Sequence, residues 1–230
     1  MTLTEYLETN DMDKKAEFNR ELISRYPWVA PKNRWNGEIP ENYKYTYTEL
    51  DNIPRGWRLA FIDSMLEELH KELVKFDYVD KYEITQIKEN FGGLRWYDNG
   101  TPLGKLSTNY KKVIVRGYDT LPKFDSGKFV LKRDYSDHYI SSYDARDRGM
   151  SLDEINAYNR DAVHYYRLYR LLDRCNVSGI VHKYELMSYN ICRFCGKPAK
   201  YKIYEAPVCG ECAEDITKNR SGLAVEPILH

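Results

Sequence analysis

Four cysteines near the C-terminus have the types and spacing to bind a metal ion. They form two Cys-x-x-Cys pairs, Cys192 with Cys195 and Cys209 with Cys212, and thirteen residues separate the pairs. Thiolate sulfur is a preferred ligand of structural Zn²⁺, and four thiolates complete its tetrahedral shell. The spacing is of the zinc-ribbon kind. It predicts one structural zinc ion bound by all four cysteines, with no open position for a substrate.

Two other interpretations of these cysteines stay open at this stage. They could form redox disulfides, or they could be four unrelated buried thiols. A redox dithiol usually occurs as a single pair at the start of a helix in a thioredoxin-like unit, and the tail lacks that pattern. A fifth cysteine, Cys175, lies outside both pairs, and we expect it to be a small core residue.

Other residues that could do chemistry do not form a known motif. His138 lies among Asp134, Asp137, Asp144 and Asp147, which could be imagined as a hydrolase metal site, but acidic loops are usually solvated. A His-Asn-His nuclease would need a histidine and an asparagine soon after a zinc pair, and the chain offers only Asn219 and the last residue, His230. No phosphate-binding loop or nucleophile elbow is present. We therefore predict a protein that is not an enzyme, with an enzyme of unrecognised site as the alternative.

One segment, residues 102–133, is locally basic and contains only two acidic residues, Asp119 and Asp125. Tyr110, Tyr118 and Phe124 are close to its cations, so the segment could stack bases and contact phosphates. It could equally contact an acidic protein, or it could be the solvated face of a hairpin. The candidate binding residues are Lys105, Lys111, Lys112, Arg116, Lys123, Lys128, Lys132 and Arg133.

The composition of the whole chain is neutral and rich in tyrosine. It has 35 basic and 35 acidic residues and 21 tyrosines among 230 residues. Balanced charge gives no overall signature of nucleic-acid or membrane binding, while tyrosine is common both in cores and at protein interfaces. No apolar run is long enough for a transmembrane helix, and the N-terminus does not resemble a signal peptide. We expect a cytoplasmic protein that does not bind membranes.

Periodicity predicts both helices and antiparallel hairpins. We expect helices over residues 4–25, from Pro54 through Lys75, from Ser151 through about Leu172, and over 180–189. Short strands are predicted at 43–47, at 112–118 and 128–133, the last two joined by a turn, and between the cysteine pairs. Gly92-Gly93 predicts a tight hairpin turn within 83–97, with Leu94 and Trp96 in the core and Arg95 in an ion pair.

Three segments resemble a family of uncharacterised proteins from phages, prophages and bacteria. They are Gly56-Trp57 followed by Leu59, Ile62 and Leu66; residues 86–97, which look like a VKEKFGGLRFY signature; and 188–196 with 209–213. The resemblance covers about half of the chain, and the N-terminal forty residues and about 98–178 look like additions. Many relatives have Cys-x-x-His as the second pair. The resemblance implies a mobile-element setting and an α/β body with a zinc ribbon, but no catalytic residue.

Together these observations predict an α+β protein with a small C-terminal zinc ribbon. The expected divisions are an α/β body over 1–188 with a β-rich insert at about 98–150, a ribbon over 189–217 and a loose tail over 218–230. The expected function is non-enzymatic inhibition of a host defence protein in a bacterial cytoplasm, with an anti-CRISPR blocking a Cas9-type nuclease as the most specific hypothesis. The alternative is a nucleic-acid-binding accessory or regulatory protein that uses the basic segment and the ribbon.

Overall fold

The computed structural model describes residues 1–33, 37–220 and 222–228, and it shows an α+β protein. Its backbone divides into two compact units. Unit 1 combines Met1–Pro102 with Cys175–His230, and unit 2 is the intervening Leu103–Arg174. Within the described residues, no helix is long and apolar enough to cross a membrane.

Unit 1 contains most of the helices. Its helices are α1 (Leu3–Glu8), α2 (Met12–Arg25), α3 (Arg55–Trp57), α4 (Asp63–Lys75), α7 (Val177–Ser188) and α8 (Gly210–Asn219). A wider turn of π-helix, Arg58–Ile62, joins α3 to α4. The predicted helix over 4–25 is two helices, because Asp11 caps the start of α2 by accepting hydrogen bonds from the amides of Asp13 and Lys14.

The core of unit 1 forms around α4. Met65, Leu69 and Leu73 follow one another at helical spacing and are fully buried, as their periodicity predicts. They pack in one cluster with Trp28 and Trp57. Burying each of these large side chains stabilises the fold by about 1.5–3 kcal/mol. The same cluster contains Leu94, Trp96 and Val181, so the core lies between α4, α7 and residues 84–96.

A β-hairpin of unit 1 carries the Phe-Gly-Gly-Leu-Arg segment. Strands β1 (Ile84–Asn90) and β2 (Gly93–Asp98) pair antiparallel, with Asn90 opposite Gly93. The two turn residues are therefore Phe91 and Gly92, rather than the predicted Gly92 and Gly93. Both have positive φ angles, 48° and 74°, as a two-residue primed turn requires. Leu94 and Trp96 are buried, as predicted.

Unit 2 contains a three-stranded antiparallel sheet in which the last strand in the chain lies between the other two. The strands are β3 (Gly104–Arg116), β4 (Phe129–Asp137) and β5 (Val163–Arg174). Helices α5 (Ser142–Asp147) and α6 (Leu152–Asn159) lie between β4 and β5 in the chain. The predicted strands β3 and β4 are present, but they do not pair with each other, because β5 lies between them.

Two predicted elements are wrong. The helix predicted from Ser151 does begin there, with a capping box to Glu154, but it ends at Asn159, and residues 163–174 form the central strand β5 instead. The strand predicted at 43–47 is irregular chain. Tyr45 has a φ of 59°, which an extended strand excludes, and its ring packs on that of Tyr43 with the centroids 4.8 Å apart.

A small three-stranded sheet lies at the C-terminus. The hairpin predicted between the cysteine pairs is confirmed as β6 (Tyr201–Ile203) and β7 (Ala206–Val208). Strand β8 (Glu226–Pro227) pairs with β6 on its other side. The predicted loose tail over 218–230 is therefore wrong for residues 226–227, while 221, 229 and 230 lie outside the described residues.

Candidate metal centre

The four paired cysteines meet at one place in unit 1. One sulfur atom from each of them lies within 4.8 Å of all the others, and the sulfurs of Cys195 and Cys209 are 3.5 Å apart. A tetrahedral ion with sulfur bonds of about 2.3 Å holds its ligand sulfurs about 3.8 Å apart. None of the four is in a disulfide. The cluster is therefore compatible with a metal site, and it is the only such group of three or more ligand side chains in the part of the chain that the structure describes.

The first pair lies on a tight loop. A bridge between Ile191 and Pro198 closes its base, and within it the amide of Cys192 donates to the carbonyl of Lys197 at 2.8 Å. The amide of Gly196 donates back to the carbonyl of Cys192 at 3.0 Å. Gly196 has a φ of +83°, which a glycine adopts without steric cost. The loop therefore presents both sulfurs on the same side.

The second pair lies at the start of helix α8, rather than on a second loop of the same kind. Cys209 is the N-cap residue, and its carbonyl accepts the first helical hydrogen bond from Ala213 at 3.0 Å. Cys212 follows in the first turn. The N-terminus of a helix carries partial positive charge, which stabilises thiolates placed there. A salt bridge of 2.5 Å from Lys197 to Glu211 joins this turn to the first loop.

Burial and local hydrogen bonds act differently on the thiols. Burial raises the pKa of Cys192, but the backbone amides of Cys209, Cys195 and Phe194 outweigh it and leave the pKa below its ordinary value. Burial holds the pKa of Cys195 and of Cys212 above the ordinary value, and the hydrogen bonds that these thiols donate to neighbouring cysteine sulfurs add to this effect. Four thiolates this close repel one another, so a cation among them is needed for all four to ionise.

The start of the α3–α4 helical segment contacts the first cysteine loop directly. The amide of Gly56 donates to the carbonyl of Arg193 at 2.8 Å, and the indole nitrogen of Trp57 donates to the carbonyl of Ile191 at 2.9 Å. A β-carbon on Gly56 would overlap the carbonyl oxygen of Cys192. Only glycine allows the two backbones to approach this closely.

The β1–β2 turn contacts the turn of the β6–β7 hairpin. A β-carbon on Gly92 would overlap the carbonyl oxygen of Glu205, so the two turns abut at their backbones. Arg193 extends this contact, since its amide donates to Pro207 and its guanidinium lies 3.3 Å from Glu89. The cysteine loop, the β6–β7 hairpin and the β1–β2 hairpin therefore form one packed body.

Arg95 does not make the predicted ion pair within the described residues. Its guanidinium donates to the hydroxyl of Tyr189 at 2.5 Å and lies over the same ring, 5.6 Å from its centroid. Gly93 packs against the ring of Tyr189 as well, since a β-carbon on Gly93 would lie only 2.5 Å from that ring. Arg95 thus helps to hold β2 against the end of α7.

The three segments that resemble the phage and bacterial family lie together around the cysteines. Gly56 contacts the cysteine loop at Cys192, and Gly93 of the Phe-Gly-Gly-Leu-Arg turn contacts the same 188–196 segment at Tyr189. A comparison of the chain with known protein families, curated proteins and solved structures found no match. Membership of that family therefore stays a prediction.

Two exposed aromatic side chains lie at the abutting turns. Phe91 is 75% exposed and Tyr204 is 78% exposed, and both have left-handed backbone conformations, with φ of 48° and 49°. We call these two residues the aromatic tips. An apolar cleft of about 430 Å³ adjoins Tyr204. It is lined mainly by Phe194, Ile203, Tyr204, Ala206, Ile216 and Leu223.

The eight predicted basic residues do not lie on one face of the unit 2 sheet. Lys112, Arg116 and Lys132 lie on one face, and Lys111 and Arg133 lie on the other, as the cross-strand register shows. Lys105 lies opposite Asp173, Lys128 pairs with Asp125 at 3.3 Å, and Lys123 is in the loop before β4. The structure therefore brings only a subset together.

Two of the aspartates near His138, Asp134 and Asp144, have other partners. Asp134 forms a bidentate ion pair with Arg167, with both contacts at 2.8 Å, and Asp144 accepts from Ser141, the residue that caps α5. They form no metal-ligand group within the described residues. Asn219 accompanies no nuclease motif there, and His230 lies outside them.

Sequence reasoning missed the aromatic tips and the whole of β5. The Phe91-Gly92 dipeptide lacks the Asn-Gly or Asp-Gly signature of a primed turn, and Tyr204-Glu205 contains no glycine at all. The spacing of the tyrosines in β5 is compatible with one face of an α-helix as well as with a β-strand. The signal that could have identified the strand is its richness in aromatic residues after Val163.

Proposed function

We propose that this protein is a non-enzymatic binding protein that is built around a structural zinc ion and acts by occupying the surface of a protein partner. The observation that carries the proposal is the pair of aromatic tips at the two abutting turns. Large exposed aromatic side chains on a rigid support are the usual anchors of protein interfaces. The tips would supply the anchors, and the metal centre would supply the rigidity.

Zinc suits the four cysteines better than the hard cations. Thiolates are soft ligands that select zinc, copper(I) or iron, and an ion with four of them in a tetrahedron has no free position for a substrate water. The spread of the sulfur atoms, within 4.8 Å, accommodates that tetrahedron. The ion would therefore fold and stiffen the C-terminal region and would not act on a substrate.

The backbone conformation of the tips supports an interaction role. A residue other than glycine in a left-handed conformation costs about 1–2 kcal/mol, and aromatic residues lack the side-chain hydrogen bonds by which asparagine reduces that cost. Phe91 and Tyr204 both have this conformational cost, and in the monomer they bury little apolar surface that could offset it. A sequence that violates a local rule at an exposed position often does so for function. Burial of both rings in a partner would offset the cost.

The partner we propose is a host defence protein in a bacterial cell infected by a mobile element, and a Cas9-type nuclease is the most specific candidate. This part of the proposal is supported by the resemblance of three segments to a phage and prophage family. It is also supported by the neutral net charge, which favours neither nucleic acid nor membrane over protein. The chain would act as an anti-CRISPR protein by stoichiometric occupation of the nuclease surface.

The test is an affinity pull-down of the tagged protein from a lysate of CRISPR-bearing bacteria, with and without nuclease treatment, read by mass spectrometry. Recovery of one stoichiometric protein that survives nuclease treatment supports the proposal and identifies the partner. Phe91→Ala and Tyr204→Ala should each reduce recovery at least about tenfold, the loss typical of an interface anchor. Tyr143→Ala is the matched control, because Tyr143 is 69% exposed and lies in unit 2.

Three outcomes would contradict the proposal. One is recovery that does not change in either tip variant. Another is recovery of nucleic acid alone, lost in moderate salt. The third is a turnover that scales with catalytic amounts of the protein, which would make it an enzyme. If a Cas9-type nuclease is recovered, a DNA-cleavage assay at increasing protein-to-nuclease ratios should show full inhibition near equimolar amounts.

A further inference from the structure

One face of the unit 2 sheet carries alternating rows of aromatic and cationic side chains. Across the three strands, Lys112 pairs with Arg167, and Arg167 pairs with Lys132, so three cations form one row. The neighbouring row on one side contains Ile114, Tyr165 and Tyr135, and the row on the other side contains Tyr110, Tyr169 and Val130. We define the tyrosine–cation face as Tyr110, Lys112, Lys132, Tyr135, Tyr165, Arg167 and Tyr169.

The tyrosines of this face lie in two pairs. The rings of Tyr135 and Tyr165 are stacked, with centroids 4.3 Å apart and planes inclined by 17°. The rings of Tyr110 and Tyr169 are 5.4 Å apart. Tyr135 is 53% exposed and Tyr110 is 40% exposed, so part of each outer ring is open to a ligand.

The cation row is only partly neutralised. Like charges directly opposite each other on adjacent strands are destabilising, and here three lie in register. Asp134 forms the bidentate ion pair with Arg167 described above. Within the described residues no carboxylate lies within ion-pairing distance of Lys112 or Lys132, although Lys132 lies 5.9 Å above the ring of Tyr169. The row therefore attracts anionic groups.

The charge of the sheet as a whole has the same sign. Its three strands contain nine basic residues and three acidic ones. The basic residues are Lys105, Lys111, Lys112, Arg116, Lys132, Arg133, Arg167, Arg170 and Arg174. The acidic residues are Asp134, which is paired with Arg167, Asp137, which is hydrogen-bonded to Tyr165, and Asp173, which lies opposite Lys105. This excess is local, because the whole chain is neutral.

We infer that the tyrosine–cation face binds single-stranded nucleic acid. Side chains on one face of a strand repeat about every 7 Å, so the two aromatic rows lie about that far from the cation row on either side. A backbone that crosses the sheet along Lys112, Arg167 and Lys132 leaves bases on both sides to stack on the tyrosines. Stacking on aromatic side chains beside a cationic track is the usual means of binding single strands. A duplex keeps its bases paired and cannot use it.

This inference goes beyond the proposed function and is separable from it. The aromatic tips belong to unit 1, and the tyrosine–cation face belongs to unit 2. Each surface can therefore be substituted without changing a residue of the other. Loss of protein capture and loss of nucleic-acid binding can be measured independently in the same full-length protein.

The experiment is fluorescence anisotropy of full-length protein with labelled single strands of about 15 nucleotides, the upper range of a small binding site. One arm uses oligodeoxythymidine, a second uses oligouridine, and a third uses a duplex of the same length. We expect a slope of log K against log salt of about −1.4, because Lys112 and Lys132, the two cations without a carboxylate partner, neutralise two phosphates of a single strand. The two single-strand arms distinguish DNA from RNA, and the duplex should bind at least about tenfold more weakly.

The variants test the contribution of the cations and that of the tyrosines separately. Lys112→Glu and Lys132→Glu should weaken binding, and each should reduce the magnitude of the salt slope by about 0.7, because one phosphate fewer is neutralised. Tyr135→Ala should weaken binding by about tenfold and leave the salt slope unchanged, because stacking releases no counterions. Lys111→Glu is the matched charge control, since Lys111 is exposed on the same strand but on the opposite face. Tyr118→Ala is the matched aromatic control, since Tyr118 is 65% exposed and follows β3.

Three results would overturn the inference. One is no anisotropy change at about 100 µM protein, the weak limit of non-specific binding. Another is an equal effect of Lys111→Glu and Lys112→Glu, which would mean unspecific charge attraction. The third is full competition by polyglutamate at equal charge, which would assign the face to an acidic protein. Circular dichroism melts of every variant check that folding is retained.

Discussion

The indole nitrogen of Trp57 donates a hydrogen bond to the carbonyl oxygen of Ile191, the residue that precedes the first cysteine of the cluster. The bond is 2.9 Å long, and Trp57 is completely buried. It joins residues that are 134 positions apart in the chain. The cysteine loop therefore rests on the main core of unit 1 and is more than an appended tail.

Gly56→Ala should destabilise the protein and weaken its metal binding. The added β-carbon would overlap the carbonyl oxygen of Cys192 and lie 2.7 Å from the amide nitrogen of Gly196. Both groups are backbone and cannot move away cheaply, so we expect a loss of about 3 kcal/mol in the free energy of unfolding. Chemical denaturation with zinc present measures it.

Gly210→Ala is the matched control for that prediction. Gly210 begins α8 between Cys209 and Cys212, and a β-carbon there would make only an ordinary contact of 3.9 Å with Tyr201. It should be neutral or stabilise the protein by about 0.5 kcal/mol. Equal destabilisation by both substitutions would contradict the proposed close contact at Gly56.

Cys209→Ser should abolish stoichiometric zinc binding and unfold the C-terminal region. Removal of one of four ligands opens the shell, and a structural zinc site contributes on the order of 10 kcal/mol to local folding. Elemental analysis of the purified protein and hydrogen exchange over residues 190–219 measure the two effects. Cys175→Ser is the control, because Cys175 lies outside the cluster. If wild-type protein contains no zinc, or if it contains iron instead, the metal assignment is wrong.

The cysteine cluster could be predicted from the sequence because its information is local. Two Cys-x-x-Cys pairs and their spacing are sufficient to suggest a common ion. The support beneath them could not be predicted in the same way. The local sequence around Gly56 indicates only a helix start, and that around Gly92 indicates only a turn. The backbones that approach these glycines, at Cys192 and Glu205, are distant in the chain.

Phe91→Asn should stabilise the protein and weaken capture of its protein partner. Asparagine tolerates a positive φ better than phenylalanine, and Asn-Gly is the preferred sequence for a primed hairpin turn. We expect a gain of up to about 1 kcal/mol in the free energy of unfolding. The pull-down should show reduced recovery of the partner. Opposite changes in stability and binding would be the expected signature of a functional residue.

The control for that prediction keeps the ring exposed and the turn unchanged. Phe91→Tyr should leave stability unchanged within about 0.5 kcal/mol and retain most of the capture, since the apolar ring remains. If Phe91→Asn lowers the free energy of unfolding, the ring of Phe91 stabilises the monomer. The backbone conformation of Phe91 would then no longer support an interaction role.

Glu68→Gln should lower stability at neutral pH and have little effect in acid. Glu68 on α4 accepts hydrogen bonds from Lys183 and Tyr184 on α7, and the bond from Lys183 holds its pKa below the ordinary value of 4.5. Because the folded-state pKa is lower than the unfolded one, the carboxylate stabilises the fold above the unfolded value. That stabilisation is lost as pH falls through the folded-state pKa. Glu68 is partly exposed, so we expect less than about 1 kcal/mol.

Thermal melts of wild type and Glu68→Gln between neutral pH and about pH 3 measure this difference. Glu67→Gln is the matched control, because Glu67 is on the same helix and its 3.5 Å contact with Lys71 is exposed. It should leave the profile unchanged. A difference between wild type and Glu68→Gln that persists at the acid end would mean that shape, and not charge, is responsible.

The unit 2 sheet shows where sequence reasoning fails. The capping box at Ser151 correctly predicts where α6 begins, and the tyrosines that follow at spacings of three and four favour its continuation. In the structure Tyr165 and Tyr169 lie on one face of β5, the strand that pairs with both β3 and β4 and lies between them. The local spacing of residues cannot predict pairing with strands that are distant in the chain. Arg167, Tyr165 and Tyr169 were therefore absent from the predicted binding residues.

Unit 2 begins and ends at neighbouring points in space. Gly104, near its first residue, pairs with Arg174, its last, at the end of the β3–β5 ladder. The rest of the chain therefore has to accommodate a gap no wider than that between two adjacent strands, about 5 Å. An ordinary surface loop spans the same gap. Evolution could thus insert, delete or exchange residues 103–174 as one unit, and a tyrosine-rich sheet could be transferred between proteins without changes to the body that carries the cysteine cluster.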